Sequence, residues 1–204
     1  MEYLKTVLRV LNHPTDEYEE LKYKKKWPLT PSLVILFFWF VGTIFEQQLY
    51  DFKFNYNNKL EFNVLYVFAI TVVLFLIWTA INWAVTTLLD GNGRLREIFV
   101  ACSYALVPYV FVIFLGVLLS QVLIIEEGIF LTILKTVGIL YSGFMLVSAL
   151  RVIHDYGIAK TIISVFLTVF GIVFVLFLLV LFFGLIQQVI LFFQTIYVEL
   201  MLRR

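Results

Sequence analysis

Five long apolar runs, separated by short charged connectors, constrain this chain more than any other feature. They lie at Pro31–Gln48, Phe62–Leu89, Ile98–Ile124, Gly128–Leu150 and Lys160–Ile186. A helix needs roughly 20 apolar residues to cross the hydrocarbon core of a bilayer, and each run is near or above that length. The runs are continuous rather than alternating, and barrel strands are far shorter, so a β-barrel does not fit. Composition sharpens the point. Of 204 residues, 62% are hydrophobic and 14% charged, against roughly 45–50% and about 25% in soluble domains. No soluble core of this length could hide so much apolar surface. The expectation is an all-α fold: a polytopic integral membrane bundle of five transmembrane helices, with the lipid bilayer as its solvent. The 22 phenylalanines spread through the runs read as lipid-facing and helix-packing bulk. No small-residue cleavage site follows the first run, which is therefore expected to stay as an anchor.

Lys and Arg give the orientation. Lys5, Arg9, Lys22, Lys24, Lys25 and Lys26 precede the first run; Arg94 and Arg96 follow the second; Arg151 and Lys160 follow the fourth. The opposite connectors hold Lys53 and Lys59, then no basic residue across Gln121–Gly128. The positive-inside rule puts the N-terminus in the cytoplasm, and five spans carry the C-terminus outside.

Three regions follow: a cytoplasmic N-terminal helical segment over 1–28, a membrane domain over 29–186, and an apolar interfacial tail over 187–204. In the first, Tyr3, Leu4, Val7, Leu8 and Leu11 recur at helical spacing, as in a short amphipathic helix at the membrane surface. Pro14 suits the first turn of a second helix, whose N-terminal dipole Asp16, Glu17, Glu19 and Glu20 complement. In the tail, Gln187, Gln188, Gln194 and Glu199 interrupt an apolar stretch. That stretch lies in the outer interface or continues the fifth helix beyond the bilayer; a sixth crossing would put Arg203 and Arg204 inside, but about 14 apolar residues are short for a span, so an outside tail is expected.

Polar groups inside a span are costly and are the first places to look for chemistry. Lys135 lies about 10 Å into the fourth run, at 1.5 Å per residue. With Glu126 and Glu127 at the entrance and Glu46 near the outer end of the first run, it outlines a candidate outer cavity. The competing reading is that Lys135 snorkels outward and pairs with a carboxylate to fix packing. On the other side, Asp90-Gly91-Asn92-Gly93-Arg94 reads as a tight turn whose glycines supply positive φ. With Arg151, His154 and Asp155 it outlines a candidate cytoplasmic docking patch around Asp90, Arg94, Arg151, His154 and Asp155. Thr79, Asn82 and Thr86 share one helical face, as do Thr161, Ser164, Thr168 and Gly171, and Gly138 lies four before Ser142. Such stripes let helices approach closely and hydrogen-bond across. Pro108 is expected to kink or unwind the third span, freeing the Tyr104 carbonyl.

Several classes are excluded. A net charge of +1 supplies no basic field for nucleic acid. One cysteine, Cys102, and two histidines make neither an internal disulfide nor a structural zinc site. No metalloprotease, serine-hydrolase, phosphate-loop or intramembrane aspartyl motif occurs. The chain is therefore expected to be no enzyme and to use no cofactor.

The order of motifs is also informative. Leu11-x-His13-Pro14 precedes the spans. Asn82-Trp83 and Leu89-Asp90-Gly91-x-Gly93 lead into Glu97-Ile98 and Ser103-Tyr104-Ala105-Leu106-Val107-Pro108. Glu126-Glu127-Gly128 and Val152-Ile153-His154-Asp155-Tyr156 follow. From about Leu11 to Phe183 the chain resembles the bacterial branch of the Yip-domain family, relatives of the Ypt/Rab-interacting membrane proteins. Ser103 stands where that family commonly has glycine, and the Asp-Leu-Tyr-Gly-Pro motif of the eukaryotic branch does not occur here, so the resemblance implies the fold but not GTPase binding. It implies a bacterial cytoplasmic membrane location and a non-enzymatic role as a scaffold or accessory factor. Its partners would be other integral membrane proteins or further copies of itself. The alternative is a small transporter, channel or lipid-handling protein using the cavity around Lys135.

Overall fold

The computed structural model describes residues 9–11, 13–24, 27–55 and 62–202. Described residues form helices and connecting turns. After a helical turn at 9–11 come α1 (Pro14–Tyr23), α2 (Leu29–Leu49), α3 (Val64–Leu88), α4 (Leu95–Ala105), α5 (Val107–Ser120), α6 (Gly128–His154) and α7 (Ile158–Leu202). Five stretches are long and apolar enough to cross a membrane: α2, α3, the α4–α5 pair, Ile125–His154 and Ile158–Glu199. The expected surface helix at Tyr3–Leu8 lies outside the described residues, as do Lys59 and the last two arginines. What remains of that segment is not free: Val10 is buried, and the Leu11 carbonyl accepts a hydrogen bond from Tyr141 of α6.

The α4 helix is the hub. Ile98 and Val100 to Ala105 are all buried, and α2, α3 and α6 pack around it. Its small side chains Ala101, Cys102, Ser103 and Ala105 explain this, because they let neighbouring backbones come close. Tyr18 of α1 is fully buried and its hydroxyl donates to the Ala101 carbonyl at 3.3 Å. The third span is broken where proline predicts. A turn at Leu106 separates α4 from α5, with the Leu106 N–H bonded to Ser103 O in a tightened turn. The Tyr109 N–H, just past the break, finds a second-helix acceptor, Ser142 Oγ of α6, at 3.1 Å. The α3 helix carries an unheralded irregularity, a π turn over Ala69–Val73. Inside it the buried Thr71 hydroxyl donates back to Val67 O at 2.7 Å.

Small-residue stripes become helix seams. Asn82 Nδ2 of α3 donates to Thr168 Oγ1 of α7 at 2.9 Å. A Cβ on Gly171 would lie 2.8 Å from the Ile81 side chain, and one on Gly138 2.9 Å from Val112. Past this seam α7 runs unbroken through the boundary expected at 186/187, so the tail extends the fifth helix. Its 45 residues amount to about 68 Å, more than twice the hydrocarbon thickness of roughly 30 Å.

The Asn82–Thr168 bond makes a prediction. Asn82→Val should lower stability against unfolding by about 1 kcal/mol, the scale of interhelical side-chain hydrogen bonds in membranes. Equilibrium unfolding in mixed micelles measures this, and unchanged stability would remove that bond from the account of the α3–α7 seam.

Candidate functional site

The two ends of the bundle each gather polar residues, and they do so differently. At the end away from α1, α2 must terminate in lipid-adjacent surroundings, where its last carbonyls lack helical partners. Asn55 Nδ2 donates to Gln47 O at 2.8 Å and Gln121 Nε2 to Leu49 O at 2.6 Å. Ser120 Oγ accepts from the Asp51 N–H at 3.3 Å. Glu46 sits in that last helical turn, where the helix dipole disfavours a carboxylate. Lys135 of α6 supplies the missing cation: its ammonium donates to Glu46 Oε1 in a direct ion pair. Around the pair opens a cavity of about 580 Å³, lined among others by Tyr50, Lys53, Thr132 and Thr136. Glu126 and Glu127 do not line it. Glu126 is exposed, and Glu127 Oε2 accepts from the Ile124 N–H at 3.2 Å, capping its own short turn. The cavity therefore combines Lys135 and Glu46 with Tyr50 and Lys53, which sequence spacing could not bring together.

At the α1 end, the turn after α3 lies against the end of α6. Both helices finish on an aspartate in the left-handed region, Asp90 and Asp155, each with φ 56°. No described glycine has positive φ, which corrects the role expected of Gly91 and Gly93. Their function is close approach. A Cβ on Gly91 would lie 2.6 Å from His154 Nδ1 and from the Tyr156 hydroxyl, and one on Gly93 2.5 Å from His154 Cε1. His154 is buried, stacks on Tyr156, and accepts the Gly93 N–H on Nδ1 at 3.2 Å. It thus holds the turn from inside and is no part of an exposed patch, which corrects that expectation too. The Tyr156 hydroxyl lies 3.1 Å from Thr86 O and 3.0 Å from Leu89 O, tying the end of α3 to the start of α7. Lys160 stands over its ring at 4.4 Å.

Lys22 of α1 completes this end. It donates to Val152 O at 2.8 Å and pairs with Asp155 at 2.6 Å. Asn92 Nδ2 also reaches Asp155, at 3.2 Å. The Lys22 ammonium, helped by Asn92, holds the Asp155 carboxyl below its ordinary value of 3.8. Counting basic residues for orientation gave Lys22 no such individual role; the contact joins residues 130 positions apart. Of the expected patch, Asp90, Arg94 and Arg151 remain exposed, beside the half-engaged Asp155.

Among described residues no three His, Cys, Asp or Glu side chains gather where they could hold a metal ion. The geometry defines a helical integral membrane protein with a charged cavity at one end and a stapled turn at the other. The chain belongs to the Yip1 domain family, whose profile it matches over residues 8–197. No curated protein and no solved structure matches it.

Two outcomes test this end of the molecule. Gly93→Ala should cost about 1–3 kcal/mol through overpacking against His154 and Ile153, read by thermal unfolding. Wild-type stability would mean the turn has room that the geometry denies. Secondly, the Lys22–Asp155 pair stabilises α1 docking above the ordinary carboxylate value of 3.8. Its contribution, ~1 kcal/mol or less for so exposed a carboxylate, is lost as pH falls below that value through the lowered folded one. Hydrogen exchange across α1 in wild type and Lys22→Met should differ at neutral pH, and the difference should narrow in acid to what the Val152 carbonyl bond contributes.

Proposed function

We propose that this protein is a non-enzymatic scaffold or accessory factor for other integral membrane proteins, with α1 and the stapled turn facing the cytoplasm. One observation carries the reading. The α7 helix buries only Thr161, Ser164 and Thr168 against the bundle, and from Val173 onward every described side chain is exposed or half-exposed. That stretch is apolar on all sides and reaches past any single bilayer crossing. Apolar surface of that extent, outside lipid, has to be covered by protein. Gln187, Gln188 and Gln194 project from it with no hydrogen bond among the described residues. In a lipid or interfacial setting such amides bind helices together. The occupant proposed is therefore a helix of another membrane protein, a further copy of this chain included.

The order of charges supports the orientation, because the end holding α1 also holds Lys22, Lys24, Arg94, Arg96, Arg151 and Lys160. Deleting residues 187–204 provides the test. It removes a stretch whose described side chains bury nothing against the bundle, so the five-span core should unfold at an unchanged temperature. Native mass spectrometry after gentle extraction should show the stoichiometric protein partner, or the dimer, only with the full chain. A partner retained equally by the truncated protein would move the interface elsewhere, and a monomer without partner in both would end the scaffold reading.

A further inference from the structure

We propose that a groove along one face of α6 binds a membrane phospholipid, with its phosphate at Lys135 and one acyl chain laid between Trp39, Trp78 and Gly143. Two cavities form this groove. The charged one at Glu46 and Lys135 is lined on α6 by Leu131, Thr132, Lys135, Thr136 and Ile139, among others. A second, of about 330 Å³, is lined on α6 by Ile139, Ser142, Gly143 and Leu146. Ile139 belongs to both. Steps of three and four residues keep all these positions on one face of the helix. Each volume lies within the roughly 300–1,000 Å³ of ordinary ligand sites.

Their chemistry changes along the helix as an amphiphile's does. The far wall of the second cavity comes from Trp39 of α2, Phe75 and Trp78 of α3, and Leu106 and Tyr109 at the break in the third span. It is almost wholly apolar. Tyr109 joins the two parts, since it lines the apolar one and lies near enough to Lys135 and Glu46 to feel both charges. From Lys135 to Leu146 is eleven residues, or about 16 Å at 1.5 Å per residue. That is the depth of one leaflet, half of a hydrocarbon core of roughly 30 Å. Ile139 and Gly143 are exposed, so the groove is open toward lipid along its length.

The charged end suits a phosphate with a cation beside it. Lysine has three donors, and Glu46 is a partner for one of them. Lys53 stands on the same rim, 3.7 Å from Asp51. Glu46 in turn is an acceptor for a headgroup ammonium, which phosphatidylglycerol lacks. A zwitterionic phosphatidylethanolamine therefore fits better than phosphatidylglycerol.

The test separates head from tail and does not depend on α7. Full-length protein is stripped of lipid in detergent, then titrated with phosphatidylethanolamine or phosphatidylglycerol and read by native mass spectrometry. One phosphatidylethanolamine per chain is expected to stay bound, with phosphatidylglycerol weaker. Lys135→Ala should weaken retention about tenfold, the loss expected for a charge-assisted contact to phosphate. Gly143→Phe should displace the lipid by filling the apolar part. A Cβ at Gly143 meets nothing within 4 Å, so the change leaves room for folding. Thermal unfolding of both variants checks this, and Gly143→Leu replaces the phenylalanine if it fails to fold. No specific lipid on the wild type, or retention at the wild-type level by either the head or the tail variant, would overturn the proposal.

Discussion

An apolar helix in lipid has no water to fall back on, so every backbone N–H and C=O at that depth must find its partner within protein. The rest of this structure depends on how that requirement is met where helices are imperfect. Pro108 removes a donor and breaks the third span, and Ser142 of a neighbouring helix accepts the Tyr109 N–H beside the break. The end of α2 is closed by Asn55 and Gln121. The ends of α3 and α6 are closed by left-handed aspartates and a shared tyrosine. Each repair comes from a different segment, so satisfying one helix fixes the place of another.

Those repairs also shape the open space. The break at Leu106 and the π turn over Ala69–Val73 both interrupt regular packing beside α4. Leu74 and Phe75, immediately after the π turn, and Leu106 at the break all line the apolar cavity. Irregular helices enclosing a cavity at membrane depth are where membrane proteins tolerate non-helical backbone. At its charged end, the Glu46–Lys135 pair counters a carboxylate at the unfavourable end of a helix dipole.

The five spans were legible because lipid demands continuous apolar runs, and Pro108 was legible because its missing N–H acts within its own helix. The stripes around Asn82 and Ser164 were legible because helical periodicity puts them on one face. What sequence could not show was whatever needs two distant segments at once. Gly91 and Gly93 announce a turn, yet the reason for them is the ring of His154, some sixty positions later. Tyr50, Tyr109 and Trp78 look like ordinary aromatic bulk until the fold sets them around a cavity. The π turn at Ala69–Val73 has neither glycine nor proline to mark it, and a run of Ala, Ile, Thr and Val reads as plain helix.

The clasp between Lys22 and the end of α6 has a consequence for how the molecule is made. Its two halves are 130 residues apart, and synthesis runs from α1 toward α6. When Lys22 leaves the ribosome, neither the Val152 carbonyl nor the Asp155 carboxylate yet exists. The Lys22 clasp has to wait, open, while four spans are threaded into the bilayer. Its closure onto α6 is then a late event in biogenesis, one that only a correctly inserted bundle can permit.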